Sequence, residues 1–172
     1  MFTTWGTKRT AADTTGDERA VLTSLLEFHR ETLFAKCEGI SEAQLKKRAV
    51  PPSAMSLLGL LRHMIQVEMF WTQECLEGRR PEYPFENLEV PDSEFEDLES
   101  MSVEEVFFRY LAAVEVSRTS LASYDFDELK FARILRQEVS VRFIHTHLLE
   151  EYARHCGHAD LLREAVDGKT GY

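Results

Sequence analysis

The chain is poor in cysteine and proline and contains no long run of apolar residues. Its three cysteines, Cys37, Cys75 and Cys156, have neither the spacing of a zinc knuckle nor that of a disulfide framework, which favours a reducing compartment. A membrane-spanning helix needs about 18 apolar residues in succession, and the sequence offers neither such a stretch nor a signal peptide. We therefore expect a cytoplasmic protein without a membrane partner.

Basic residues are also scarce. The sequence has 20 lysines and arginines against 30 aspartates and glutamates, a formal net charge of −10. Binding to the phosphate backbone of nucleic acids or to an anionic membrane surface calls for a basic face, so both partners are disfavoured. The 172 residues with 44% hydrophobic content are enough for one globular domain, and we expect its partner to be a small molecule.

Apolar residues recur at spacings of three and four along four segments, and this pattern predicts amphipathic helices. The predicted helices are residues 17–36, 57–76, 103–123 and 140–166. Residues 1–16 form an arm, with Phe2 and Trp5 expected on the domain surface, and residues 17–172 form a single domain. Residues 124–139 have a weaker pattern that is compatible with a short hairpin. Four long helices without a strong strand pattern predict an all-α four-helix bundle.

The connection between the second and third predicted helices, residues 78–101, is unusually long, since helix–helix connections in bundles span about 2–8 residues. A long connection is typical of flanking helices that run parallel or lie diagonally across a bundle. The acidic residues of this connection lack the spacing of a calcium-binding loop, so we expect them to be solvated. They are Glu94, Glu96, Asp97 and Glu99.

The fourth predicted helix carries a carboxylate and an imidazole on its apolar stripe. The stripe consists of Val141, Ile144, Leu148, Tyr152, Ala159 and Leu162. At about 100° per residue, Glu151 and His155 fall within the same arc. A buried carboxylate is unfavourable unless it is paired or bound to a metal, and helix residues four apart lie side by side. His63, at the border of the apolar arc of the second helix, is the expected partner of this pair.

Together, His63, Glu151 and His155 would supply two nitrogens and one oxygen. Zinc, nickel and iron(II) accept this donor set, and three protein ligands leave open positions for water or substrate, as in catalytic sites. The two Glu-x-x-His pairs of a di-iron bundle are missing from the sequence, so we expect a single metal ion.

Taken alone, the residues leave alternatives to a metal site. His63 could be a partly buried helix histidine that is hydrogen-bonded to a neighbour, and Glu151 and His155 could form an ion pair within one helix. His147 lies one turn before Glu151, and His158 lies one turn after His155, so either could substitute as a ligand. We rank both as neighbours of the site, and their roles stay open.

The remaining histidines and the cysteines have no clear partner. We expect His29 and His145 to be surface or filler residues. Cys156 follows His155 directly, but consecutive helix side chains point about 100° apart. A small buried thiol is therefore a better interpretation of Cys156 than a nucleophile.

Two motifs resemble the DinB-like superfamily. The segment SLLGLLRH, residues 56–63, resembles its second-helix motif, and EEYARHCGHADLLRE, residues 150–164, resembles a fourth-helix motif. The opening GDER, residues 16–19, and the step PPS, residues 51–53, are also similar. More closely, the chain resembles a branch of this superfamily that is common in actinobacteria and described as a domain of unknown function. The resemblance covers nearly the whole chain from residue 16.

This resemblance implies a bundle that is often a homodimer and that holds one divalent metal ion, usually zinc or nickel. Many DinB-like proteins use three histidines, whereas this chain has Glu151 at one of those positions. The resulting triad of His63, Glu151 and His155 is similar to the His, Glu, His set of mycothiol-dependent maleylpyruvate isomerases, whose N-terminal domain the chain resembles.

The resemblance also implies a class of chemistry. Related proteins transfer or isomerise with low-molecular-weight thiols such as mycothiol or bacillithiol, and a bound metal makes the thiol a better nucleophile. A metal-dependent thiol transferase, isomerase or hydrolase is therefore the first hypothesis. The alternative is a non-catalytic protein, with a binding or stress-related role, that the metal stabilises. No motif in the sequence defines the substrate.

Overall fold

The architecture comes from a computed structural model that describes residues 9–170, so Phe2 and Trp5 of the predicted arm lie outside the described residues. The helices are α1 (Glu18–Cys37), α2 (Glu42–Lys46), α3 (Leu57–Glu68), α4 (Val103–Ala122) and α5 (Val141–Asp167). A π-helical segment (Met69–Leu76) continues α3, a 3₁₀ turn spans Ser93–Phe95, and β1 (Leu129–Ala132) pairs with β2 (Gln137–Ser140). This mainly helical architecture confirms the predicted fold class. Among residues 9–170, no helix has the length and apolarity needed to cross a membrane.

Polar side chains fix the points at which the helices begin. Asp17, Ser56 and Ser140 each accept a hydrogen bond from a backbone N–H in the first turn of α1, α3 and α5, respectively. Ser41 and Gln44 form the reciprocal capping box of α2. Each of these helices therefore begins directly after a residue type that is typical of helix caps.

The second predicted helix differs from the observed one in its second half. We expected one α-helix over residues 57–76, but the helix widens to a π-helix from Met69 onward. The backbone N–H of Glu77 donates to the oxygen of Thr72, five residues earlier, which is the π-helical spacing. Apolar spacing does not distinguish a π-helix from an α-helix over two turns, so the sequence pattern could not reveal the change.

A short antiparallel hairpin precedes α5. Leu129 pairs with Ser140, and Ala132 pairs with Gln137. The turn between the strands includes Arg136, whose φ is 53°. This result confirms the hairpin interpretation of the weakly patterned segment and places the last residue of β2 at the N-cap of α5.

The four long helices enclose a single apolar core. α1 packs against α5, and α3 packs against both α4 and α5. The predicted stripe of α5 lies in this core, with each member at most 2% exposed: Val141, Ile144, Leu148, Tyr152, Ala159 and Leu162. Because α3 and α5 are neighbours, polar side chains on their facing surfaces can meet.

One group of polar residues lies within this core, and we call it the Arg30 cluster: Arg30, Glu68, Tyr110, Ser117 and Tyr152. Arg30 donates from Nε and Nη2 to the two carboxylate oxygens of Glu68, each at 2.8 Å. Nη2 also donates to the Ser117 hydroxyl, and the Tyr152 hydroxyl donates to Glu68. The Tyr110 hydroxyl donates to the backbone oxygen of Arg30. All five residues are at most 3% exposed, so the cluster is a buried ion pair enclosed by hydrogen bonds.

Candidate metal centre

The structure brings together the three residues that we proposed as metal ligands. One ligand atom from each of His63, Glu151 and His155 lies within 4.8 Å of the other two. His155 Nε2 is 3.4 Å from a carboxylate oxygen of Glu151, and the rings of His63 and His155 have centroids 4.6 Å apart. His155 is only 8% exposed, whereas the other two side chains are partly exposed. The three ligand atoms are therefore close enough to bind one common ion. The partial exposure of His63 and Glu151 leaves this position accessible from solvent.

Helix packing explains this convergence. Glu151 and His155 are four residues apart on α5 and lie side by side. Leu148, Tyr152 and Ala159 are fully buried, which fixes the rotation of this helix against its neighbours. α3 packs across α5 and contributes His63 from the opposite side. The position of the triad therefore follows from the same apolar stripes that form the bundle.

The protonation of His155 suits a metal ligand. Burial, and after it the neighbouring His63 and His158, lower the pKa of His155 to about 3. The His155 imidazole is therefore neutral at pH 7 and has a lone pair available on one ring nitrogen. Two imidazole nitrogens and a carboxylate oxygen form a donor set that fits a divalent metal ion.

Glu94 completes the surroundings of His63, which corrects our expectation that this acid is solvated. Its side chain is nearly buried, and Oε1 lies 2.8 Å from His63 Nδ1. Burial alone would raise the pKa of the Glu94 carboxyl, but the hydrogen bond with His63 and nearby positive charge outweigh it, and the pKa is lowered. A carboxylate can only accept a hydrogen bond, so Nδ1 of His63 carries a proton in this contact, and Nε2 is the ring nitrogen that could face an ion.

The segment around Glu94 is held against the start of α3. The ring of Phe95 stacks on His63 with centroids 5.7 Å apart. A Cβ atom added to Gly59 would lie 2.6 Å from Phe95, so this close approach requires glycine. Arg62 donates hydrogen bonds to the backbone oxygens of Glu96 and Asp97, at 3.0 and 3.1 Å. The motif at residues 56–63 therefore positions both a candidate ligand and the loop that orients it.

His147 and His158 both border the triad. His147 Nε2 lies 3.3 Å from Glu151 Oε1, and His158 Nδ1 lies 3.2 Å from His155 Nδ1. Together with Glu94, these contacts give each of the three candidate ligands a partner of its own. Such partners fix the orientation of the ligand side chains.

The other candidate side chains lie away from the triad. His145 is only 1% exposed and contacts the hydroxyl of Thr23 at 3.2 Å, so it is a core residue and not a surface histidine. His29 is half-buried on α1. Cys156 is buried, which confirms the prediction of a small buried thiol, and burial raises the pKa of this thiol to about 12.

An open groove of about 350 Å³ lies beside the candidate metal centre, and His63 is the member of the triad that lines it. Its lining also includes Trp71, Glu74, Tyr83 and Glu94. The Tyr83 hydroxyl donates a 2.8 Å hydrogen bond to Glu74. A small molecule in this groove would contact the triad at His63.

Comparisons with known proteins agree with this description. The protein-family model described as MST: Mycothiol-S-transferase matches residues 21–168. The matched segment includes all three residues of the triad and Glu94. Neither the curated proteins nor the solved structures provide a match.

Proposed function

The chain belongs to the mycothiol-S-transferase family, and from this premise we propose that it is a metal-dependent enzyme that transfers a low-molecular-weight thiol to an electrophile. The observation that carries the proposal is the convergence of three ligand atoms within 4.8 Å beside an open groove. The family relationship identifies mycothiol as the first thiol to test. The transfer forms a bond between the thiol sulfur and an electrophilic carbon and breaks the S–H bond together with either the bond from that carbon to its leaving group or its π bond; the proton departs with the leaving group or is balanced by protonation of the neighbouring carbon.

In this proposal, His63, Glu151 and His155 hold the ion, and zinc is the expected metal because it accepts mixed nitrogen and oxygen ligands. A bound zinc ion supplies positive charge that lowers the pKa of a thiol or water beside it. Three protein ligands of a tetrahedral set leave one position open for that thiol or water.

The side chains around the triad orient it. Glu94 accepts a hydrogen bond from Nδ1–H of His63, and this contact orients the ring so that Nε2 would face the other two ligands. His158 contacts His155, and His147 contacts Glu151, so rotation of each ligand is restricted. The apolar wall behind the triad, which includes Leu148 and Ala159, excludes water from the core side. Substrate therefore approaches from the groove.

Metal analysis of protein purified without a histidine tag tests the proposal. We expect one zinc ion per chain, and near zero in Glu151→Ala and His155→Ala. Glu164→Ala is the matched control, because Glu164 is an exposed glutamate on the same helix, α5, more than two turns beyond Glu151. We also expect transfer of mycothiol to an electrophile such as a bimane halide, and loss of this activity in the two triad variants.

Each outcome bears on a different part of the proposal. A wild-type zinc content near zero, unchanged in the triad variants, would refute the metal site. Stoichiometric zinc without thiol transfer, combined with a large loss of thermal stability on chelation, would favour the alternative of a non-catalytic protein that the metal stabilises.

A further inference from the structure

Three aromatic side chains form a ledge beside the candidate metal centre, which we call the aromatic ledge: Trp71, Phe143 and His147. The rings of Phe143 and His147 are nearly parallel, with an interplanar angle of 9° and centroids 5.7 Å apart. Trp71 meets both edge-on, with centroid distances of 4.5 Å to His147 and 6.0 Å to Phe143. Trp71 is 7% exposed and the His147 side chain 22%, so Phe143, at 39%, is the member of the ledge that offers a ring to a further planar group.

The ledge is continuous with the triad. Phe143, His147, Glu151 and His155 follow one another at intervals of four along α5 and share one helix face. His147 bridges the two regions, because it stacks on Phe143 and also lies 3.3 Å from Glu151. A group that rests on the ledge is therefore one helical turn from the candidate ligands.

Packing of α5 does not require an exposed aromatic residue at this position. Phe143 is 39% exposed, whereas its neighbours Val141 and Ile144 are fully buried and hold the start of α5 against the core. An exposed aromatic surface that adjoins a cleft is a feature of ligand-binding sites.

The groove that His63 and Trp71 line also contains polar side chains. Arg80 and Glu86 form an ion pair there with a distance of 2.8 Å, and Glu74 accepts a hydrogen bond from Tyr83. Charged and hydroxyl-bearing side chains suit a ligand that is rich in hydrogen-bonding groups. The groove and the aromatic ledge therefore offer surfaces of different character, and Trp71 belongs to both.

We infer that the aromatic ledge binds the planar apolar part of the electrophile, which rests on the proposed function, and that its preferred substrates are aryl-substituted electrophiles. An aryl enone illustrates the reaction. The thiol sulfur forms a bond to the β-carbon, the alkene π bond breaks, and the proton released by the thiol is balanced by protonation of the α-carbon. The reaction needs no oxidant, reductant or further reactant.

Two enones that differ by one phenyl ring test the inference. But-3-en-2-one and 4-phenylbut-3-en-2-one share the same reacting group, so the ratio of their KM values within each protein variant isolates the contribution of the ring. We expect Phe143→Ala to raise KM for the phenyl compound about 3- to 10-fold, the range expected for loss of an aromatic pair. KM for the small enone should stay within about twofold.

Two further variants control for structure and shape. Phe108→Ala removes another exposed phenylalanine, 58% exposed on α4, and should leave both KM values unchanged. Phe143→Leu retains an apolar side chain without an aromatic face, and it should be intermediate between wild type and Phe143→Ala. Equal changes for the two enones in the Phe143 variants would overturn the inference.

Binding can also be measured without turnover. The sequence contains two tryptophans, so Trp5→Phe leaves Trp71 as the single tryptophan in the chain. The saturated ketone 4-(4-nitrophenyl)butan-2-one lacks the reactive alkene and carries a nitroaryl quencher. We expect saturable quenching of Trp71 fluorescence in metal-free protein and a 3- to 10-fold weaker apparent affinity when Phe143→Ala is added.

The two readouts separate the inference from the proposed function. If quenching follows Phe143 but no thiol is transferred to any electrophile, the ledge is a binding site and the proposed function is wrong. If thiol transfer occurs, but neither the KM ratio nor the quenching depends on Phe143, the proposed function stands and the inference about the ledge is overturned.

Discussion

The Arg30 cluster and the candidate metal centre are both polar groups to which α3 and α5 contribute, yet they are arranged in opposite ways. In the Arg30 cluster, a guanidinium and a carboxylate face each other, and surrounding hydroxyls supply further hydrogen bonds. In the candidate metal centre, two imidazoles and a carboxylate direct their ligand atoms toward one another. The first arrangement already contains its positive charge, whereas the second is suited to receive one.

This difference separates a structural polar group from a site that can bind a ligand. Glu68 and His63 are both on α3, and Tyr152 is next to Glu151 on α5, so the same two helices contribute to both regions. A completed network stabilises the fold and offers an incoming ion nothing to bind. A set of converging donors with outer partners such as Glu94 is held ready for an ion. Substitutions in the two regions should therefore have different consequences.

The largest expected effect is on the stability of the Arg30 cluster. Glu68→Gln removes the buried carboxylate that pairs with Arg30 and leaves Arg30 only the partly exposed Glu27, 2.6 Å away, so we expect the free energy of unfolding to fall by about 3 kcal/mol. Urea denaturation of metal-free protein measures this change. The folded fraction should still bind zinc, because Glu68 is not part of the triad. If zinc binding were lost at temperatures where the variant is folded, the two regions would not be independent.

The bundle itself could be predicted because apolar spacing and helix caps are local signals. The Arg30 cluster was not predicted, although its signal was present. Arg30 lies four residues after Leu26 and three before Leu33, and both leucines are fully buried. A charged residue at that spacing implies a buried partner, but the sequence does not say which distant acid supplies it.

For the candidate metal centre, too, contacts between neighbours on one helix could be predicted, whereas a contact with a distant loop could not. Glu151 and His155 could be paired by their helical spacing, and the motif around His63 provided the third residue. Glu94 could not be assigned, because it lies in a segment without a periodic pattern, 31 residues away from its partner His63. The adjacent Phe95 was the one apolar hint that this part of an acidic loop is held against the domain. Metal binding itself stays a prediction.

The second prediction concerns pH. His145 is buried near Arg30, and burial together with the charges of Arg30 and Arg19 lowers its pKa to about 4, whereas the unfolded value is about 6.5. As pH falls below 6.5, the unfolded chain binds a proton that the folded chain does not, so stability decreases until about pH 4. Between pH 6.5 and pH 4, we expect the free energy of unfolding of His145→Gln to fall by about 2–3 kcal/mol less than that of the wild type.

Urea denaturation of metal-free wild type and His145→Gln between pH 7 and pH 4 provides the measurement. The informative quantity is the difference in slope between the two proteins, because any pH-independent effect of the substitution cancels. Parallel curves would show that His145 is protonated equally in both states. The buried environment on the Arg30 side of the bundle would then be more accessible to protons than the structure indicates.

The third prediction moves to the metal centre. Glu94→Gln preserves the size of the side chain but replaces the charged acceptor of the His63 hydrogen bond with a neutral one. We expect zinc affinity to fall about 10- to 100-fold, the range typical for loss of an outer partner of a metal ligand. Competition with a chelator of known affinity measures the change, and Glu99→Gln, in the same loop but with a side chain that is 80% exposed, is the control. The free energy of unfolding of the metal-free protein should change far less than in Glu68→Gln.

The smallest expected effect distinguishes between two outer partners within the same centre. His158 contacts His155 through a ring nitrogen at 3.2 Å, whereas Glu94 holds His63 with a carboxylate. Hydrogen bonds to a charged group are roughly twice as strong as those between neutral groups. His158→Ala should therefore weaken zinc binding by no more than about 10-fold, the square root of the largest loss expected for Glu94→Gln. A loss of zinc as complete as that in His155→Ala would instead identify His158 as a ligand. The set of ligands would then include two imidazoles from α5, those of His155 and His158.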